Sequence, residues 1–378
     1  MAKKRKKQKL RTEFRKKHES RTRRSDWTRN FQQVDEQEDT TSGERISGKN
    51  ELNRKRTIIG AEVTEDESGG LTVHLDVDEE KCLKGRVLSI HGLQSVVLAE
   101  DGQQYRCATR RLLKTLNTDQ RNVTAVGDRV LLRPESNLEG VIERVEPRRG
   151  VLSRTSQKRR HVIVANVDML LIVTSAAEPM LKPNLIDRFL VTAESIQVEP
   201  LICINKVDLV DLADLQPLAG VYGQMGYRVL FLSAETGFGV STLRRIVSGR
   251  QSVVAGQSGV GKSSLLNQIE PGLELRVRSV SQENQKGRHT TTAARLLPLE
   301  GGGYLVDTPG IRQFQLWDVI PEEVDGFFRD LRPYVNLCRF PDCTHTHETE
   351  CAVKDAVADG RLDARRYESY VHIQSGDE

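Results

Sequence analysis

The run Ser252-Val253-Val254-Ala255-Gly256-Gln257-Ser258-Gly259-Val260-Gly261-Lys262-Ser263-Ser264-Leu265-Leu266 decides the fold. An apolar β run stops at Gly256, and a helical stretch opens at Ser264. The interval from Gly256 to Gly261-Lys262-Ser263 is that of a phosphate-binding loop. Its glycines let backbone N–H groups approach phosphate oxygens, Lys262 can reach the β and γ oxygens, and the Ser263 hydroxyl can ligate Mg²⁺. A bland glycine turn would require none of the strand, helix, lysine and serine found together here. Gly256, Gln257, Ser258, Gly259, Val260, Gly261, Lys262, Ser263 and Ser264 are therefore the candidate phosphate-binding residues.

Outward from this loop, residues 160–318 alternate apolar β runs with helical stretches. The β runs start at Met169, Pro200, Arg228, Ser252 and Tyr304, and helices are expected over Asn184–Ile196 and Ser241–Val247. That rhythm predicts a parallel sheet covered by helices, with ligands at the carboxyl ends of its strands. Three further motifs end apolar runs. The Asp208 carboxylate of Asn205-Lys206-Val207-Asp208 can accept from guanine N1 and N2, a donor pair that adenine lacks. Lys206 can lie along the base and Asn205 can brace the site. Ser233-Ala234-Glu235-Thr236-Gly237 would place the Ala234 N–H near guanine O6. Asp307-Thr308-Pro309-Gly310 offers a carboxylate that can hold the metal through water and, at Gly310, an N–H that can sense a γ-phosphate. Each string is weak alone, but together they predict a guanine nucleotide site, discriminating by the cost of leaving buried polar groups unpaired. The base-binding segments precede the phosphate loop, the reverse of the usual order, so the arrangement reads as a circular permutation.

Further out lie three other regions. Residues 81–153 hold five short β-rich runs separated by turn signals such as Asp101-Gly102, which suits an OB-fold barrel. Its cations Arg110, Arg111, Lys114, Arg148 and Arg149 are candidate RNA contacts. Residues 1–80 combine a basic block with an acidic one. Positions 1–29 carry fourteen Lys or Arg against three acids, and positions 35–80 carry fourteen acids against five bases. With few apolar residues, this stretch is expected to be a disordered charged tail, its cations able to track a polyphosphate backbone. Residues 319–378 read as helical, with a polar, charged last helix through Arg366, interrupted by Cys338-x4-Cys343-x-His345-x5-Cys351. Three thiolates and one imidazole suit a closed tetrahedral zinc site that stabilises folding, with His347 as a competing ligand. No apolar run approaches the length of a membrane span, six cysteines are too few for a disulfide scaffold, and the lysine-rich start is no secretory signal. A cytoplasmic protein without membrane contact is expected.

In the order of these motifs, with Gly287-Arg288-His289-Thr290-Thr291-Thr292 between the phosphate loop and Asp307, residues 81–378 resemble the RsgA (YjeQ) family of circularly permuted GTPases. The resemblance implies an OB domain, a permuted GTPase domain and a helical zinc domain, acting late in maturation of the small (30S) ribosomal subunit. It implies GTP hydrolysis to GDP and phosphate, stimulated by that subunit. It also selects His345 as the histidine ligand of one structural Zn²⁺, and Thr291 as a ligand of Mg²⁺ beside Ser263. Many GTPases orient the attacking water with a glutamine after the Asp-x-x-Gly glycine, but Ile311 stands there and cannot hydrogen-bond. His289 is the candidate catalytic group instead, in line with the corresponding histidine of the family. The expected partners are GTP or GDP and the small subunit with its rRNA, met by a monomer. The competing reading is an RNA-binding assembly adaptor in which GTP only locks conformation.

Overall fold

The computed structural model describes residues 9–13, 45–47, 55–59, 61–65, 71–75, 77, 79–110, 113, 123–156, 159–273, 294–307 and 319–376. The chain divides into two compact units, Met1–Arg149 with Arg154–Asn166, and Gly150–Ser153 with Val167–Glu378.

The first unit contains a closed five-stranded barrel. Strand β1 (Leu83–His91) pairs antiparallel with β2 (Gln94–Ala99) and with β4 (Arg129–Pro134); β2 pairs with β3 (Gln104–Thr109), and β5 (Glu139–Val145) runs parallel to β3 and antiparallel to β4. The order β1-β2-β3-β5-β4 thus returns to β1, giving the expected barrel and leaving no free sheet edge. Along β2, Ser95, Val97 and Ala99 are more deeply buried than the residues between them. Val87, Val97, Cys107, Leu132 and Ile142 fill the interior. Two of the cations expected to meet RNA have internal partners. Arg110 donates to Glu143 at 2.9 Å, and Arg148 grips the fully buried Asp128 with two hydrogen bonds of 2.7 and 2.8 Å. Arg111 and Lys114 lie outside the described residues.

Part of the stretch expected to be disordered forms strands. Lys55–Ile59 pairs antiparallel with Lys9–Glu13 and Arg45–Ser47, and Ala61–Glu65 pairs with Leu71–Leu75. Thr57, Ile58, Ile59, Val63, Thr72 and Val73 supply β-branched residues there, a local preference that runs against the charge blocks.

The second unit is built on a six-stranded sheet. Its strands are β6 (Met169–Ser175), β7 (Glu199–Asn205), β8 (Arg228–Phe231), β9 (Gln251–Ala255), β10 (Arg295–Pro298) and β11 (Tyr304–Asp307). Their order is β8-β7-β6-β9-β11-β10, with every neighbouring pair parallel except β10 and β11. All seven residues of β6 are buried, as a central strand of a covered parallel sheet requires. Helices α1 (Pro183–Ser195), α2 (Leu212–Gln224), α3 (Val240–Val247) and α4 (Lys262–Ile269) alternate with the strands. Helix α2 carries Pro217, Gly220 and Gly223, whose poor helix propensity hides it in the sequence; Asp211 caps it by accepting from the Ala213 N–H at 2.9 Å.

After residue 319 come two four-residue helices, α5 (Val324–Phe327) and α6 (Arg332–Val335), then α7 (Ala352–Ala358) and α8 (Ala364–Ser375). Helix α8 runs on well past Arg366, because Arg366, Ser369, Tyr370 and Ile373 form a buried stripe at helical spacing. This region shares a core with α1: Val191 packs with Phe328, Leu331, Cys351, Val353 and Tyr370. A buried ion network reinforces the join. Arg366, 3 % exposed, donates to Asp187 at 2.6 Å and to both oxygens of Asp330 at 2.9 Å, while the Tyr222 hydroxyl donates to the same Asp187 at 2.8 Å. Among the described residues no helix is long and apolar enough to cross a membrane.

Candidate nucleotide site and candidate metal centre

Because β6, β7, β8, β9 and β11 are mutually parallel, their carboxyl ends share one edge of the sheet. The base-binding and phosphate-binding motifs meet there despite their reversed order in the chain. At Gly256 (φ 145°) a Cβ would lie 2.0 Å from the Val173 carbonyl oxygen, so only glycine can leave β9 this close to β6. At Gly261 (φ 89°), the residue before α4, a Cβ would lie 2.4 Å from Asn205 Nδ2. That contact exists because Asn205 is the bridge between loops. Its Nδ2 donates to the Val260 carbonyl at 2.9 Å and its Oδ1 accepts from the Ala234 N–H at 3.0 Å, with only 1 % of the residue exposed. One buried amide thus fixes the β7, β8 and β9 loops together.

Lys262 Nζ donates to the carbonyls of Gly256 and Gln257, at 2.7 and 2.6 Å. The ammonium therefore sits inside the curl of the loop whose phosphate it is expected to meet. Ser263 and Ser264 occupy the first turn of α4, where free N–H groups and the helix dipole favour an anion. Ser258 is exposed, and Gln257 and Gly259 are half-buried. In the guanine motif, Lys206 takes a left-handed backbone (φ 62°) and donates its Nζ to the Glu178 carbonyl. Asp208 stands exposed on the short turn Val207–Leu209, its carboxylate available to a base. Ser233 is buried; its Oγ accepts from the Thr236 N–H at 3.0 Å and its carbonyl from the Gly237 N–H at 2.9 Å, closing the turn that carries Ala234. The Ala234 N–H, expected beside guanine O6, is here engaged by Asn205. Asp307 ends β11, next to β9. Gly310, Ile311, His289 and Thr291 lie outside the described residues.

The ligand atoms of Cys338, Cys343, His345 and Cys351 all fall within 4.8 Å of one another. His345 Nδ1 is 3.4 Å from the sulfurs of both Cys338 and Cys351, and those sulfurs are 3.8 Å apart. A tetrahedron with zinc–sulfur bonds of about 2.3 Å and a zinc–nitrogen bond of about 2.05 Å has edges of about 3.8 and 3.6 Å. The donor set and these separations fit a metal ion. His347, the competing ligand, is outside the cluster: its side chain is 83 % exposed and its Nδ1 bonds Thr346 Oγ1. Burial pushes the Cys343 thiol up to about 12, so a metal must displace its proton.

Four supports of this loop carry no signal in the motif itself. The Tyr367 hydroxyl donates to the His345 carbonyl at 2.7 Å, and the Tyr370 hydroxyl to the Thr344 carbonyl at 2.8 Å. Glu348 accepts from Thr344 N, Thr344 Oγ1 and Thr346 N at 2.8, 2.6 and 3.0 Å. Burial works to raise the Glu348 carboxyl, but these hydrogen bonds outweigh it and hold the group at about 2. Asp325 Oδ2 lies 3.5 Å from His345 Nε2. The three-residue spacing of Tyr367 and Tyr370 was the available hint of a shared helix face.

The RsgA GTPase family model matches residues 145–317. The small ribosomal subunit biogenesis GTPase RsgA of Sodalis glossinidius is 40 % identical over 296 residues, covering 77 % of this chain and 84 % of the relative. Its Yersinia enterocolitica counterpart is 41 % identical over 302 residues, with the same coverage. The crystal structure of YjeQ from Thermotoga maritima superposes with a TM-score of 0.64 at 37 % identity, over 78 % of this chain and 98 % of that one. YloQ, a circularly permuted GTPase, gives a TM-score of 0.62 at 27 % identity, over 80 % and 97 %.

Proposed function

Since this chain belongs to the RsgA family, GTP hydrolases of small-subunit biogenesis, we propose that it binds the small subunit and its rRNA in a GTP-dependent manner, with turnover stimulated by the subunit. The protein acts in the cytoplasm as a monomer, where small subunits mature. The observation that carries this reading is the Asn205 amide, which joins the Val260 carbonyl of the phosphate loop to the Ala234 N–H of the base loop.

In this reading Asp208 accepts from guanine N1 and N2, Asn205, Ser233 and Ala234 shape the base pocket, and Lys206 lines it. Residues 256–264 wrap the phosphates, with Lys262 compensating their charge. Ser263 and Thr291 would hold Mg²⁺, with Asp307 reaching it through water; the ion would neutralise phosphate charge as it develops. The Gly310 N–H senses the γ-phosphate, and His289 orients the attacking water in place of the missing glutamine. Cys338, Cys343, His345 and Cys351 hold one structural Zn²⁺. With four protein ligands and no open position, that site supports folding and takes no part in hydrolysis.

The test is GTP turnover with and without purified small subunits, in the parent protein and in His289→Ala. Subunits are expected to accelerate the parent and to leave His289→Ala slow while it still binds GTP. A parent whose turnover ignores the subunit would instead be an adaptor that uses GTP as a conformational lock.

A further inference from the structure

The imidazole of His345 has two nitrogens with different surroundings. Nδ1 faces the sulfurs of Cys338 and Cys351 at 3.4 Å. Nε2 is buried and makes no hydrogen bond, yet a carboxylate oxygen, Asp325 Oδ2, faces it at 3.5 Å. The other oxygen of that carboxylate is already engaged, accepting from the Gly326 N–H at 2.6 Å. The backbone on both sides is held: Val324 and Phe328 pack in one core with Cys351 and Tyr370, and Tyr367 grips the His345 carbonyl. What remains free is the ring's tautomer and its rotation. A neutral imidazole carries one N–H and one lone pair, so the group that receives the N–H decides which nitrogen offers the lone pair.

We propose that Asp325 is a positioning residue of the metal centre: by accepting a hydrogen bond from the Nε2–H of His345 it fixes Nδ1 as the ligand nitrogen. The proposal rests on the zinc reading of the Cys338, Cys343, His345 and Cys351 cluster. Carboxylates that take the second N–H of a ligand histidine raise its basicity and set its orientation, and their loss typically weakens metal binding about 10–100-fold. Asp325 is invisible to motif reading because it precedes the first cysteine by a whole helix and part of another.

The full-length protein is titrated with zinc against a chromophoric chelator, and separately with Co²⁺ to read the ligand set from its absorption spectrum. Asp325→Ala is expected to weaken zinc about 10–100-fold while keeping a tetrahedral three-sulfur, one-nitrogen Co²⁺ spectrum. Asp325→Asn, which retains an acceptor oxygen without the charge, is expected to fall between Asp325→Ala and the parent. The discriminating arm is His345→Cys, which replaces the ring by a fourth thiolate. In that background Asp325→Ala should cost nothing, since there is no imidazole left to orient. An Asp325→Ala protein with the parent's zinc affinity overturns the proposal, and so does an equal loss in the His345→Cys background, which would make Asp325 a support of the chain. A parent that takes up no zinc overturns the zinc reading itself, an outcome distinct from a parent that binds zinc and is indifferent to Asp325.

Discussion

At the carboxyl ends of β7, β8 and β9, each candidate nucleotide-binding segment leaves a strand of the parallel sheet, and neighbouring strands set the distance between loops. The candidate metal ligands have no such frame. Cys338, Cys343 and His345 lie beyond a four-residue helix, and Cys351 only precedes α7. Their separation is set by tyrosine hydroxyls, Glu348 and the shared core of α1, α7 and α8. The contrast teaches that a sheet brings polar groups to one edge through backbone pairing and leaves a single side chain, Asn205, to lock the loops, whereas a loop-borne cluster needs several cross-links, of which a metal would be the strongest.

The contrast is sharpest under chelation. Structural zinc sites carry roughly 10–16 kcal/mol of apparent binding free energy near neutral pH. Stripping zinc should therefore abolish the near-ultraviolet circular dichroism of Tyr367 and Tyr370, whose hydroxyls hold the loop, and lower the denaturation midpoint. Unchanged signals would mean that the loop stands on its own hydrogen bonds. A smaller effect is expected at the frame-supported site. Asp208→Asn removes a carboxylate meant to accept two hydrogen bonds, so GTP affinity should fall by about 3 kcal/mol or more, at least 100-fold. Xanthosine triphosphate, whose base carries a carbonyl where guanine carries its amino group, should then bind better than GTP; calorimetry with both nucleotides reads the outcome.

Much of this frame is legible in the sequence, because apolar runs broken by glycine or asparagine mark strand ends directly. Residues 200–205, ending at Asn205, and 252–255, broken at Gly256, declare themselves that way, and so does the loop after Ala255. The cysteine spacing likewise marks a candidate metal cluster, while the choice of His345 over His347 rests on the family resemblance. What resists reading is whatever acts across the chain. Asn205 joining Val260 lies 55 positions away from it, and Pro217 conceals α2. The internal pairing of Arg148 with Asp128 cannot be told from a surface cation, since composition carries no information on which carboxylate will be buried opposite it.

The smallest of the expected effects probes one support of the metal loop. Glu348→Gln should destabilise the protein by about 1–3 kcal/mol at neutral pH, because charged hydrogen bonds to Thr344 and Thr346 become neutral ones. The parent's advantage has a defined pH window. Folding depresses the Glu348 carboxyl from 4.5 to about 2, so its contribution is complete above the unfolded value and disappears as pH falls through the folded one. Denaturation midpoints of the two proteins should therefore converge on acidification from pH 4.5 toward 2; a constant difference would assign the effect to packing.

Arg366 has a consequence for how the polypeptide is made. The helices on either side of β7 rely on a guanidinium encoded 179 positions after Asp187. Until that codon is translated and α8 has emerged, Asp187 and Asp330 both lack the counterion they share, a deficit of about 3–5 kcal/mol for a broken buried pair. A prematurely stopped copy that lacks α8 thus leaves this part of the unit without its buried counterion and correspondingly easier to unfold.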